Sequence, residues 1–254
     1  MEIKFLGASS LDNIAFAKEE RDGTNMLLID FAESIGKKFS ETNVLEGVKR
    51  VIAFGTHIHT DHINGVKQVE QHCEQRNIKL KFLLPSITRQ FGQMCAAIVA
   101  LGLNKVDVIS PSEAAHLLNL REIEFKAMRH NSINVDNLLG FEKVDTTALV
   151  MTTKMSGVRN KIVYAVDNDD VDFVRGTLCD MAMHQLFLDT TLIGRGWGMH
   201  FTLEKLEKVA RDLRLGDKMK KRIVGMHFYR DDVADAVKKA GYSVATDRLY
   251  SISR

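Results

Sequence analysis

The sequence predicts an α/β fold, an αββα sandwich of two mixed sheets packed face to face with helices on the outer faces, in one continuous domain over residues 1–254. Three observations predict it. Strand-like runs and helical periods alternate at both ends of the chain. Strand-like runs dominate the middle, with few helical residues between them. Finally, no repeat of about 20–50 residues, low-complexity tract or long linker divides the 254 residues, and proline occurs only at Pro85 and Pro111.

Taken in order, EIKFLG (2–7), NMLLIDF (25–31) and RVIAFG (50–55) have the β-branched and apolar content of strands, and turn-like stretches such as RDGTN separate them. NGVKQVEQHCEQR (64–76) spaces Val66, Val69 and Cys73 for one helical face. The strand-like KLKFLLP (79–85) and a second helical stretch, RQFGQMCAAIVALGL (89–103), complete an alternating first half. VDVIS, EIEFKAMRH, LGFEKV, TALVMTT and NKIVYAVD then predict a second, largely antiparallel sheet. HQLFLDTT, the helix TLEKLEKVARDLR, the strand KRIVGMH and the helix RDDVADAVKKAGY restore the alternation.

Composition narrows the function. With 45% hydrophobic residues the chain can bury a full core, and 35 Lys and Arg against 33 Asp and Glu create no overall field for a large polyanion. Cys73, Cys95 and Cys179 are odd in number and widely spaced, against a disulfide framework or a thiolate zinc site. The opening MEIKFLGASS lacks the basic-then-apolar pattern of a secretion signal, and no run approaches the ~18 apolar residues of a membrane span. The expectation is a cytoplasmic protein without a membrane segment.

Chemistry concentrates in THIHTDH (56–62), directly after the apolar RVIAF. On extended backbone, residues two apart share a face, so His57 and His59 can address one ion while Asp61 and His62 fall on the other side after Thr60. That spacing suits two adjacent metals, and imidazole with carboxylate suits Zn²⁺, Mn²⁺ or Fe²⁺.

HIHTDH resembles the HxHxDH motif of the metallo-β-lactamase superfamily, and the resemblance extends over nearly the whole chain. It implies further ligands at His130 in FKAMRHNS, Asp167 in KIVYAVDND and His227 in RIVGMHFY. By this likeness His57, His59 and His130 hold one ion, Asp61, His62 and His227 hold the other, and Asp167 bridges them, with Asp169 and Asp170 competing in the same turn. The implied cofactor is two divalent metal ions, Zn²⁺ or alternatively Mn²⁺. His72, His116 and His184 lie in helical or pre-strand contexts and read as structural.

MEIKFLGASS followed by NMLLIDF is similar to the opening of the ribonuclease Z branch, which includes small phosphodiesterases. LFLDTTLIGRGWGMHFTLEKLEKVA resembles the branch segment whose acidic residue and histidine serve phosphoester chemistry, here Asp189 and His200. The implied catalytic residues are Asp61, orienting the attacking water, and His200, held by Asp189 and assisting the leaving oxygen. Thr202 can serve as the N-cap of the following helix.

Three departures stand out: Ala8 replaces a turn glycine, LLIDFA lacks the usual Cys-Gly, and AVDND replaces Gly-Asp-Thr. No basic, glycine-rich arm for tRNA is visible between His130 and Asp167, where TKMSGVRN reads as a tight turn. The likeness therefore implies hydrolysis of a small phosphodiester, a cyclic nucleotide, as in the anti-Pycsar proteins, by metal-activated water and in a homodimer. Trp197, Phe228 and Tyr229 are candidate cleft walls. The alternatives are a ribonuclease Z-type tRNA 3′ endonuclease, another small phosphodiesterase, and a protein that sequesters nucleotide without turnover.

Overall fold

The computed structural model describes residues 2–9, 12–19, 21–85, 88–103, 105–128, 146–153, 159–191, 200–228, 230–245 and 250–251. The first half runs β1 (Glu2–Ser9), β2 (Asp12–Lys18), β3 (Asn25–Ile29), α1 (Ile35–Glu41), β4 (Arg50–Phe54), α2 (Thr60–Ile63), α3 (Val66–Gln75), β5 (Lys79–Leu83), α4 (Thr88–Ala100) and β6 (Val108–Ile109). The second runs α5 (Pro111–Leu117), β7 (Leu120–Met128), β8 (Thr146–Thr153), β9 (Lys161–Ala165), α6 (Val171–Cys179), β10 (Met183–Asp189), α7 (Leu203–Asp212), α8 (Asp217–Lys220), β11 (Ile223–Met226), α9 (Asp231–Lys239), β12 (Ser243–Val244) and β13 (Tyr250–Ser251).

Two sheets result, ordered β13-β1-β2-β3-β4-β5-β6 and β12-β11-β10-β9-β8-β7. Both are mixed. In the first, β1, β2 and β3 pair antiparallel and β3 through β6 run parallel. In the second, β7, β8 and β9 are antiparallel and β9 through β12 parallel.

Strand alternation builds the layers. Leu27, Ile29, Ile52 and Phe54 meet Leu149, Met151, Tyr164 and Phe187 between the sheets, whereas Met26, Leu28, Val51 and Ala53 face outward under α1, α3 and α4. Val163, Ala165, Leu186 and Leu188 likewise face α6, α7 and α9. Burial on both faces explains why β3 reads as an unbroken apolar run. Each of the larger apolar side chains among these, Val, Leu, Ile, Met or Phe, contributes about 1.5–3 kcal/mol.

Several local expectations change. VDVIS, expected in the second sheet, supplies β6 of the first, with Phe82 opposite Val108 and Leu83 opposite Ile109. The reason is the crossover through α4, which returns the chain parallel beside β5. β2 was not expected, because its Ala and Asn have weak strand preference; pairing on both sides, with β1 and β3, holds it. Helix α5 lies in a stretch expected to hold few helical residues and α6 in a segment given no element, and each begins at a side-chain cap: Ser110 accepts from the Glu113 amide and Asp170 from the Phe173 amide. LGFEKV lies outside the described residues.

Candidate metal centre

THIHTDH turns from the end of β4 into α2, which places His57 and His62 in the interior at 2% and 0% exposure. The following helix start needs Gly65: its amide donates to the Phe31 carbonyl at 2.8 Å, and a Cβ there would lie 2.3 Å from the Ala32 carbonyl oxygen. The Phe31 amide in turn donates to the His62 carbonyl at 2.6 Å, so the chain after β3 clamps the histidine turn.

Two later strand ends converge on it. Asp167 follows β9 and His227 follows β11, both with left-handed backbone (φ 51° and 62°), a conformation that costs non-glycine residues about 1–3 kcal/mol. The His227 amide donates to the Ala8 carbonyl at 2.7 Å, which fastens this loop to β1. Asp167 is the hub. Its Oδ2 lies 3.2 Å from His57 Nε2 and 3.1 Å from His62 Nε2, and its Oδ1 lies 3.1 Å from His227 Nδ1. Asp61 Oδ2 lies 3.4 Å from His62 Nε2 and 3.6 Å from His227 Nε2.

The structure therefore brings Asp61, His62, Asp167 and His227 into one group, and His57, His59 and Asp167 into another, with ligand atoms within 4.8 Å of one another. His130, Trp197 and Tyr229 lie outside the described residues. Phe228, a candidate cleft wall, instead joins the core cluster with Val233 and Val237.

Asp30, directly after β3, is a buried contributor that the THIHTDH motif does not mark. Its left-handed backbone (φ 53°) turns the carboxylate inward, where Oδ1 accepts from the Thr56 amide at 2.8 Å and the Thr56 hydroxyl at 3.0 Å. Asp30 Oδ2 accepts from Asn13 Nδ2 at 3.0 Å and from His62 Nδ1 at 2.9 Å. A carboxylate acceptor assigns the Nδ1 proton, and Nε2 is the atom that His62 turns toward the cluster. Thr56 acts similarly on His57. With its hydroxyl proton given to Asp30, its oxygen can accept from His57 Nδ1 at 3.1 Å.

The charges follow from these contacts. Burial pushes His57 well below the usual histidine range, and the nearby His62 and His59 push the same way. Burial would also lower His62, but Asp61, Asp30 and Asp167 outweigh it and raise it well above that range. For Asp61 and Asp167 burial would raise the carboxyl; the surrounding histidines prevail and hold both well below the usual carboxylate range.

A third group adjoins the second strand layer: Asp167, Asp189 and His200. His200 Nδ1 lies 3.1 Å from Asp189 Oδ2 and 3.1 Å from Asp167 Oδ1. The Thr191 amide donates to the Phe201 carbonyl at 3.0 Å, and Thr202 caps α7 through the Lys205 amide; both hold His200 beside β10. Burial would lower His200, yet the hydrogen bonds and charges of Asp167 and Asp189 raise it to about 10. Asn168 Nδ2 donates to Asp189 Oδ1 at 3.1 Å, a contact not anticipated from sequence.

The donor set fits divalent metal. It consists of imidazole nitrogens and carboxylate oxygens only, and among the described residues these buried or half-buried atoms converge within 4.8 Å of one another in each group.

No family profile and no curated protein matches the sequence. Solved structures do match. Human tRNase Z, short form, aligns over 100% of both chains with a TM-score of 0.63 at 16% identity. The metallo-β-lactamase fold protein YhfI from Bacillus subtilis aligns over 98% of both with a TM-score of 0.63 at 14% identity. Zn²⁺-bound PqqB from Methylobacterium extorquens aligns over 99% of this chain and 100% of its own with a TM-score of 0.62 at 11% identity. The chain has the metallo-β-lactamase fold. Among the described residues no helix is long and apolar enough to cross a membrane.

Proposed function

We propose that this chain is a metal-dependent phosphodiesterase and that its preferred substrate is a cyclic nucleotide. The observation that carries the reading is the placement of His200 Nδ1 against Asp189 and Asp167, directly beside the two His/Asp groups. His57, His59 and, by the sequence likeness, His130 would hold one Zn²⁺ or Mn²⁺ ion. Asp61, His62 and His227 would hold a second, with Asp167 shared. Bound there, divalent ions would make water acidic enough to yield hydroxide near neutral pH and would draw charge from the phosphoryl oxygens.

The protein's own groups supply the rest. Asp30 and Thr56 keep the imidazoles of His62 and His57 in the orientation described above. Asp61, partly exposed beside His62 and His227, orients the attacking water. With Nδ1 committed to the carboxylates, His200 presents its other nitrogen, Nε2, to substrate. As water adds to phosphorus and the ester P–O bond breaks, His200 Nε2 gives its proton to the leaving alkoxide. Lactam or thioester hydrolysis has no need of such a pair.

A small substrate is supported by the net charge of +2 and by the lack of a basic arm in the sequence. The likeness to human tRNase Z favours a second reading, a tRNA 3′ endonuclease. The test is kcat/KM of zinc- or manganese-loaded protein on cyclic mononucleotides, cyclic dinucleotides, bis-p-nitrophenyl phosphate and precursor tRNA at matched salt. Opening of a cyclic nucleotide is the expected result. Cleavage of tRNA at one 3′ position without cyclic-nucleotide turnover would promote the second reading, and no phosphodiester turnover at all would sink both.

A further inference from the structure

Asn168 is completely buried beside Asp167, and every polar atom of its amide is engaged. Nδ2 donates to Asp189 Oδ1 at 3.1 Å and to the Ala165 carbonyl at 3.2 Å. Oδ1 accepts from the Asp170 amide at 3.2 Å. The amide has one workable orientation. Flipped, its oxygen would face a carboxylate and a carbonyl while its NH₂ would face an N–H.

The far side of Asp189 is equally occupied. Oδ2 accepts from the Phe201 amide at 3.3 Å and pairs with His200 Nδ1 at 3.1 Å. One oxygen is therefore pinned from β9 and the other is left for the histidine. We propose that Asn168 is a positioning residue: its amide fixes the rotation of the Asp189 carboxylate, so that Oδ2 meets His200 and sets the placement of the imidazole. This rests on the phosphodiesterase reading only for its catalytic consequence; the placement of His200 stands apart from it.

Chemistry favours an amide here over its neighbours in size. Aspartate at 168 would set a second carboxylate against Asp189, and leucine would leave Asp189 Oδ1 as a buried acceptor without a donor. Asn168 also closes the turn that carries Asp167, through the Asp170 amide. A loss of metal would therefore reveal a different role, support of Asp167, and metal content is part of the test.

The experiment compares Asn168→Asp, which retains the acceptor toward the Asp170 amide and removes the donor toward Asp189, with wild type. Zinc content and thermal midpoint are measured first. Expected are unchanged zinc content, a kcat on the best cyclic nucleotide about 10–100-fold lower, the usual cost of losing a group that orients a site residue, and a KM within about twofold. In a His200→Ala background the same change is expected to cost nothing further, because the residue it positions is gone. Independently of turnover, the His200 Nδ1–H resonance of the zinc-loaded protein is expected to move in both Asn168→Asp and Asp189→Asn. If Asn168→Asp does not fold, Asn168→Ala is read by the same three measurements. Losses that multiply with His200→Ala, an unmoved His200 resonance, or depleted zinc would each overturn the proposal. A wild type inactive on every phosphodiester, with the resonance still moving, removes the functional reading and leaves this positioning intact.

Discussion

Two carboxylate–histidine pairs in this molecule have the same atoms in contact and different surroundings. Asp30 and His62, 2.9 Å apart, are both completely enclosed, and Asp30 collects further donors from Asn13 and Thr56. Asp189 and His200, 3.1 Å apart, share the pattern at Nδ1, but the His200 side chain keeps 11% of its surface exposed. An imidazole sealed on all sides can only hold; one with an open edge can exchange a proton with substrate. Exposure, rather than the pairing itself, separates the histidine proposed to support the site from the one proposed to react.

The largest expected effect breaks the enclosed pair. Asp30→Ala strands the Asn13 and Thr56 donors and leaves His62 without its carboxylate, so a stability loss of about 3–5 kcal/mol by urea titration is expected, together with loss of bound metal by elemental analysis. Retained metal at wild-type stability would refute the supporting role.

Breaking the open pair is expected to spare the fold. His200→Ala is expected to lower kcat on a cyclic nucleotide by about 10²–10⁴-fold with metal content and thermal midpoint unchanged. Its effect on bis-p-nitrophenyl phosphate is expected to be far smaller, since p-nitrophenolate leaves without a proton. Equal losses on both substrates would move His200 from the leaving oxygen to a phosphoryl oxygen.

A smaller change sharpens the enclosed side. Gly65→Ala forces a Cβ against the Ala32 carbonyl and the Ile35 side chain, which is expected to cost about 1–3 kcal/mol by calorimetry and to loosen the turn carrying His62.

The smallest effect calibrates both pairs against one nearer to water. Lys161 donates to Asp180 at 2.8 Å with both side chains partly exposed, and that bond, with the Ala182 amide, holds Asp180 below its usual 3.8. A depressed carboxyl stabilises the fold above its unfolded pKa and loses that contribution as pH falls through the folded value. Lys161 is raised above 10.5 by the same bond, so its share persists until pH rises through that raised value. Lys161→Met is expected to cost about 0.2–1 kcal/mol between about pH 5 and 9, and nothing once acid has protonated Asp180. A cost that persists in strong acid would assign it to packing.

What the sequence made legible follows from distance along the chain. His57, His59, Asp61 and His62 stand within six positions, and a pattern that local shows itself. Asp30 meets His62 from 32 positions away and Asn168 meets Asp189 from 21, contacts that exist only after parallel strands have been laid side by side. The same holds for the fold. The alternation of buried strands and amphipathic helices such as α7 announced the two-sheet sandwich, whereas α5, seven residues long, is too short for a helical period and is marked only by Ser110, Pro111 and Glu113. β2 owes its conformation to two partners rather than to its own residues.

The bond from the His227 amide to the Ala8 carbonyl, extended by the bridge between Ser9 and Phe228, joins distant parts of the described chain at the edge of the candidate metal centre. That closure has a consequence in time. During synthesis the THIHTDH segment emerges early, with most of the second sheet still unmade, and its imidazoles await Asp167 and then His227. A nascent chain therefore passes through an interval in which this histidine turn lacks the partners that enclose it. Under the metal reading proposed above, neither ligand group would be complete before Asp167 is in place, and the second would wait until the segment after β11 docks against the end of β1.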